Sequence, residues 1–416
     1  MRFNPSQLDS TVVDLALRQR LHASPPDQPI PVILELRHGA LLAPPHPEAT
    51  PVGDPARGRF KALLRSDAIH ALAFQQPALY KIWLDHTVRA LTTRSLATIQ
   101  ADAALTAFHA TGRGILFAVA DSGIAPHSHF DAFRNLVLPP GVDHRDFTGG
   151  NAPLTDDYGH GTHVAGIIGG IQSGCSGGPR GVAPETTLLS LKVLGQDGSG
   201  LVSDILAALD YIQTVNDHGR RLRVHGLNLS VGYDFDPEWY ACGASPLCVE
   251  VDRLVHSGVA VVAAAGNSGY GFQNSLHLGP VPTCLPLTIN DPGNADLAIT
   301  VGSTHRDMPH TYGVSYFSSK GPTGDGRRKP DLIAPGERIL SCSHSDPAAY
   351  IEDSGTSMAA PHVSGAIAAF LSARREFIGR PQAVKEVLLS TATDLCRHPD
   401  FQGRGLINVF RALQER

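Results

Sequence analysis

From Gly112 onward, short apolar runs alternate with stretches of helical periodicity. Ile115–Ala120, Thr187–Leu194, Val224–Leu229, Val259–Ala265 and Ala298–Val301 are rich in Val, Ile, Leu and Ala and are bounded by turn residues. Runs of this kind suit strands buried on both faces, as in a parallel sheet. Between them, Thr162–Gly169, Ser203–Val215, Val249–His256 and Ser357–Arg374 carry helical spacing. The alternation predicts an α/β body with a mostly parallel central sheet, whose ligands bind at the carboxyl ends of the strands.

The first hundred residues read differently. Thr11–His22 has the spacing of a short amphipathic helix, Pro31–Arg37 and Leu79–Leu84 are strand-like, and Leu42–Gly58 is loop. Arg59–Ala73, with Phe60, Leu63, Leu64, Ile69 and Leu72, predicts a helix. The expected organisation is a small α+β domain over residues 1–105, followed by the α/β body over 106–416.

Composition narrows the classes. The 416 residues are 42% hydrophobic and 18% charged, with 42 glycines and 31 prolines, which describes a loop-rich globular chain. The net charge of −5 gives no reason to expect nucleic acid. Residues 1–100 hold 11 Lys/Arg against 8 Asp/Glu, net +3, so the remainder carries −8. No run reaches the roughly 18 apolar residues of a membrane span. The first ten residues lack the apolar stretch of an export signal, which predicts a cytoplasmic protein, or a secreted one if the true start lies upstream. Six scattered cysteines without a C-x-x-C pair read as thiols, with Cys242 and Cys248 close enough to bridge in an oxidising compartment.

Four segments carry chemistry. Ile115-Leu-Phe-Ala-Val-Ala-Asp121-Ser-Gly ends an apolar run in a carboxylate. Gly159-His160-Gly-Thr-His163-Val-Ala-Gly sets an imidazole between glycines, and Gly355-Thr-Ser357-Met-Ala-Ala-Pro361-His opens a long small-residue helix with a hydroxyl. A serine hydroxyl becomes a useful nucleophile when a base takes its proton and a third group orients that base. Taken singly, Asp121 would cap a turn and Ser357 would be a helix N-cap. His160 and His163 lack the further ligands of a zinc site. The fourth segment, Val259-Ala-Val-Val-Ala-Ala-Ala-Gly266-Asn267-Ser-Gly, follows a buried strand with an amide side chain.

In the order Asp, His, Ser, these segments resemble those of the subtilisin-like serine proteases, the subtilases of peptidase family S8. The resemblance covers about residues 112–412 and implies a three-layer subtilisin-like fold and hydrolysis of peptide or protein substrates through an acyl-enzyme. It assigns Asp121, His160 and Ser357 to the catalytic triad, and Asn267, with the Ser357 N–H, to the oxyanion hole. His163 is left to packing. It further implies that Ser230, Val231 and Gly232 form one wall of the P1 pocket and Ala264, Ala265 and Gly266 the other. Gly198, Ser199 and Gly200 would then form an edge that pairs with an extended peptide. The leader resembles the family's inhibitory propeptide in position and pattern, and an attached structural domain fits it equally.

Two departures bear on this reading. The calcium loop of many relatives would fall within Ile171–Arg180, which lacks the Asn or Asp side chains a hard cation requires, so no cofactor or metal is expected. Insertions at Tyr233–Cys248 and Tyr270–Asn290 border the expected cleft. One alternative is a catalytically silent binding protein of the same fold, which requires damage at one of the four chemical positions. Another is an esterase or ligase, for which a Gly-x-Ser-x-Gly elbow would speak; Gly355-Thr-Ser-Met-Ala does not match it.

Overall fold

The structure, a computed structural model, describes residues 12–37, 44–52, 58–85, 94–172, 178–233, 243–275 and 279–415. The chain divides into two compact units, Met1–Ala90 and Leu91–Arg416. The division falls before the expected boundary at 105 for a physical reason: Leu96, Ile99, Ala101 and Ala104 are buried in the core of the second unit.

In the first unit, α1 (Leu15–Ala23), β1 (Ile30–Leu36), β2 (Thr50–Pro51), β3 (Arg59–Leu64), α2 (Ser66–Gln75) and β4 (Leu79–Leu84) build a sheet of order β2-β3-β1-β4. Its core joins Leu17, Leu21, Ile69 and Leu72 to Val32, Leu34, Phe60, Leu64 and Ile82. The expected helix over Arg59–Ala73 is therefore corrected. Its first half is a strand because Phe60 and Leu64 are buried while Arg59, Lys61 and Leu63 face solvent, a period of two. β3 pairs antiparallel with β1, from Ile30 opposite Leu64 to Glu35 opposite Arg59. Helix begins only at Ser66.

The second unit is an α/β fold around a seven-stranded sheet. Its strands are β5 (Leu116–Asp121), β6 (Arg145–Asp146), β7 (Thr187–Lys192), β8 (Gly226–Leu229), β9 (Ala260–Ala264), β12 (Ile299–His305) and β13 (Leu332–Glu337), in the order β13-β12-β9-β8-β5-β7-β6. Every pairing is parallel. Alternate residues feed two cores. From β9, Ala260, Val262 and Ala264 pack with the helix Thr356–Ala373, while Val261 and Ala263 pack with the helices Val202–Val215 and Pro246–His256. This burial on both faces explains why the strands read as unbroken apolar runs.

Among the described residues, two hairpins lie outside the sheet: β10 (Tyr270–Ser275) with β11 (Gly279–Cys284), and β14 (Ile339–Cys342) with β15 (Tyr350–Asp353). The first occupies the expected Tyr270–Asn290 insertion. Most of the Tyr233–Cys248 insertion lies outside the described residues, as do Cys175 and Cys242, while Cys248, Cys284, Cys342 and Cys396 are free thiols. No described helix is long and apolar enough to cross a membrane.

Candidate active site

Asp121 ends β5 and is fully buried. Its Oδ1 accepts from the Ser122 N–H at 2.8 Å and from His160 Nδ1 at 2.8 Å, while Oδ2 has no partner among the described residues. Because a carboxylate oxygen only accepts, Nδ1 carries the ring proton and Nε2 is left with its lone pair.

His160 is the first residue of a helix, α3 (His160–Ile168), that starts sharply because Gly159 adopts φ +98°, where a side chain would also strike the His344 ring. Asp156 secures this start. It accepts from the Gly159 N–H (2.7 Å), the Thr162 N–H (2.8 Å), the Thr162 hydroxyl (2.6 Å) and the Ser122 hydroxyl (2.8 Å). Ser122 Oγ accepts in turn from the Gly161 N–H at 2.9 Å, tying β5 to α3. Neither Asp156 nor Ser122 was expected from sequence. The only signal was an acid shortly before the imidazole.

Burial lowers the pKa of His160, but the charge and hydrogen bond of Asp121, with Asp353 and Asp156, outweigh it and raise the pKa above 6.5. His163 behaves oppositely. Burial holds its pKa near 4, and its Nε2 lies 3.0 and 3.1 Å from the carbonyls of Ile339 and Ile351, a packing role.

Ser357 is the second residue of the helix Thr356–Ala373, so its N–H precedes the helical ladder. Its hydroxyl donates to the Ser230 carbonyl at 3.0 Å, and the Ser230 hydroxyl donates to the Ser357 carbonyl at 2.9 Å. Asn228 supports Ser230 through Nδ2 at 2.8 Å and accepts from Ser364 at 2.8 Å. Ser357 thus rests on Ser230 rather than on His160, and both Ser357 and His160 face one cavity of about 580 Å³.

Asn267 follows β9. Its Oδ1 accepts from the Thr356 N–H (2.9 Å) and hydroxyl (3.1 Å), which turns Nδ2 outward as a donor without a partner among the described residues. A Cβ on Gly355 would lie 3.4 Å from Asn267 Nδ2 and 3.6 Å from the Ser357 nitrogen, so the two donors flank one small space that glycine leaves open.

The cavity is lined by Gly198, Ser199, Gly200, Ser230, Val231, Gly232, Ala264, Gly266 and Asn267, and also by Tyr158, Leu194, Val202, Ile205, Tyr233 and Asn290, which were not expected. Ala265 is corrected: it is fully buried, with its N–H on Val301 O and its carbonyl taken by the Asn290 N–H. The edge segment is also less open than its glycines suggest. Ser199 spends its N–H on Asp197 Oδ1 (3.0 Å) and its carbonyl on the Gly195 N–H (2.8 Å). The Gly198 carbonyl and both backbone groups of Gly200 have no partner among the described residues. No Asp, Glu, Lys or Arg lines the cavity among the described residues. Part of the expected calcium loop, residues 173–177, lies outside them.

The Subtilase family model matches residues 112–406. The serine protease AprX of Bacillus subtilis is 31% identical over 367 residues, covering 82% of this chain and 76% of that protein. Subtilisin DY of Bacillus licheniformis is 34% identical over 304 residues, covering 73% and 92%. The crystal structure of a cold adapted subtilisin-like serine proteinase matches with a TM-score of 0.52 and 28% identity, covering 72% of this chain and 88% of that one.

Proposed function

Because the chain belongs to the subtilase family and is a serine peptidase, a hydrolase of peptide bonds, we propose that it is an endopeptidase acting through an acyl-enzyme at Ser357. One observation carries the reading: the 2.8 Å contact between Asp121 and His160 Nδ1, in a site whose cavity also exposes Ser357 and the Asn267 amide. An extended peptide lies along Gly198–Gly200 and Ser230–Gly232, pairing with the open groups of Gly200. His160 Nε2 takes the Ser357 proton as Oγ attacks the scissile carbonyl, and Asp121 stabilises the imidazolium. Asn267 Nδ2 and the Ser357 N–H hold the oxyanion; one such donor is worth about 3–4 kcal/mol. His160 then protonates the leaving amine, and water repeats the sequence to free the acid. These groups complete the reaction without a cofactor.

The first unit acts, in this reading, as an intramolecular inhibitor and folding aid. A silent binding protein is disfavoured because all four chemical groups are present. The test is Ser357→Ala, expected to abolish cleavage of peptide substrates while circular dichroism stays native. Unchanged turnover by the folded variant overturns the assignment. Preference for simple esters over peptides across a substrate panel would point to the esterase alternative.

A further inference from the structure

Lys320 lies in Ser315-Tyr-Phe-Ser-Ser-Lys-Gly321 and is 2% exposed. Its Nζ donates to three backbone carbonyls, Gly269 at 2.8 Å, Ser318 at 2.8 Å and Tyr316 at 3.0 Å, and stands 5.3 Å from the Phe401 ring centroid. No carboxylate pairs with it among the described residues. A buried charge without a counter-ion is costly unless dipoles replace its hydration. Equally, three carbonyl oxygens aimed at one point repel one another unless a cation sits between them. The ammonium therefore plays the part of a cation in a carbonyl cage, built into the chain.

The cage adjoins the oxyanion donor. Gly269 lies two residues past Asn267, and the segments 266–269 and 316–320 are laced together: the Gly269 N–H donates to Phe317 O at 2.9 Å, the Ser268 N–H to Ser319 Oγ at 3.1 Å, and the Ser319 N–H to Gly266 O at 2.9 Å. The approach is so close that a Cβ on Gly269 would fall 1.9 Å from Ser318 O and 2.5 Å from Lys320 Nζ. Without the cation, the repelling carbonyls push Gly269 away from Ser318 and carry the Asn267 backbone with it. Transition-state donors tolerate little displacement: an error of about 1 Å costs up to 10²-fold in rate.

We propose that Lys320 is a positioning residue for catalysis, whose ammonium draws the Gly269, Tyr316 and Ser318 carbonyls together and so fixes Asn267 in the oxyanion hole. The inference rests on the oxyanion role given to Asn267 above.

The test is a double-mutant cycle on the full chain with a chromogenic peptide, comparing wild type, Lys320→Met, Asn267→Ala and the double variant, with active-site concentration from titration. Asn267→Ala is expected to lower kcat by about 10²–10³-fold. Lys320→Met is expected to lower kcat by about 10–10²-fold with KM within twofold, and the double variant to be no slower than Asn267→Ala. Wild-type kcat in Lys320→Met overturns the proposal, as does a full Lys320→Met penalty in the Asn267→Ala background, the mark of a lysine that merely holds the fold. Wild-type kcat in Asn267→Ala instead removes the oxyanion assignment, and the role of Lys320 with it. If Lys320→Met does not fold, Lys320→Ala is refolded with n-propylammonium chloride, which replaces the missing ammonium and its carbons. At least a tenfold gain in kcat over choline chloride at equal ionic strength is then expected. No gain, or an equal gain from neutral n-propanol, overturns the proposal.

Discussion

At the scale of single residues, the site is an arrangement of hydrogen bonds that decides which nitrogen of His160 is free. Asp121 takes the Nδ1 proton and raises the imidazole pKa above 6.5. The acidic limb of kcat/KM therefore has its midpoint above pH 6.5, since the base must be neutral to accept a proton. Asp121→Asn removes the charge that raises the pKa and favours the wrong tautomer. It should move the limb to lower pH and cut kcat by about 10⁴-fold, both measurable in one pH–rate series. An unmoved limb contradicts the account. The residues of this site that are readable in sequence are those embedded in local patterns: Asp121 after its apolar run, His160 between glycines, Ser357 opening its helix, Asn267 after β9. Those that escape reading act across long separations. Asp156 reaches back to Ser122, Thr356 holds Asn267, and Lys320 reaches Gly269. A lysine in a polar loop looks like any solvated lysine until the fold closes around it.

At the scale of elements, the same contrast holds. The five expected strands of the parallel sheet are found, each within a few residues of its expected range, because burial on both faces leaves an unmistakable apolar run. β13 escapes because Leu332-Ile-Ala-Pro-Gly-Glu carries a Pro-Gly pair that normally argues against a strand. The hairpin of β10 and β11 escapes because its strands contain Gly and Pro and their apolar side chains, Tyr270 and Phe272 among them, stay exposed. The hairpin of β14 and β15 is attached by imidazoles. His163 contacts the Ile339 and Ile351 carbonyls, and His129 lies 3.2 Å from the Tyr350 hydroxyl and 3.2 Å from the Gly166 carbonyl. His362 lies beneath the Ser357 helix start, its Nδ1 2.8 Å from Met358 O. Burial holds all three rings near pKa 4, against 6.5 when solvated. Between those values the unfolded chain binds more protons than the native one. Their contribution to stability is thus complete above pH 6.5 and is lost as pH falls toward 4. His160 has the opposite sign, its raised pKa adding stability below 6.5 that fades at higher pH. Burial also lowers His70, His144 and His225, so with six rings against one, and about 1.4 kcal/mol per pKa unit, Tm should drop by several degrees between about pH 6.5 and pH 5, above most of the carboxylate range. A calorimetric Tm that stays level over that interval contradicts the neutral assignment of these rings.

For the whole molecule, the division between Ala90 and Leu91 bears on the fate of the first unit. Helices at Arg94–Thr98 and Ala101–Phe108 place Leu96, Ile99 and Ala104 in the core of the second unit, so removal of the leader must spare them. Intact-mass and N-terminal peptide measurements on active enzyme should therefore find a new terminus between Asp85 and Arg94. Full activity in protein that keeps residues 1–85 would show instead that the first unit is a permanent domain. The central claim, that Ser357 is the nucleophile and His160 the base that activates it, meets its most direct test in covalent labelling. A fluorophosphonate probe followed by peptide mapping should place one adduct per chain on Ser357, with labelling reduced by orders of magnitude in His160→Ala. An adduct on another residue, or undiminished labelling of Ser357 without the imidazole, contradicts it.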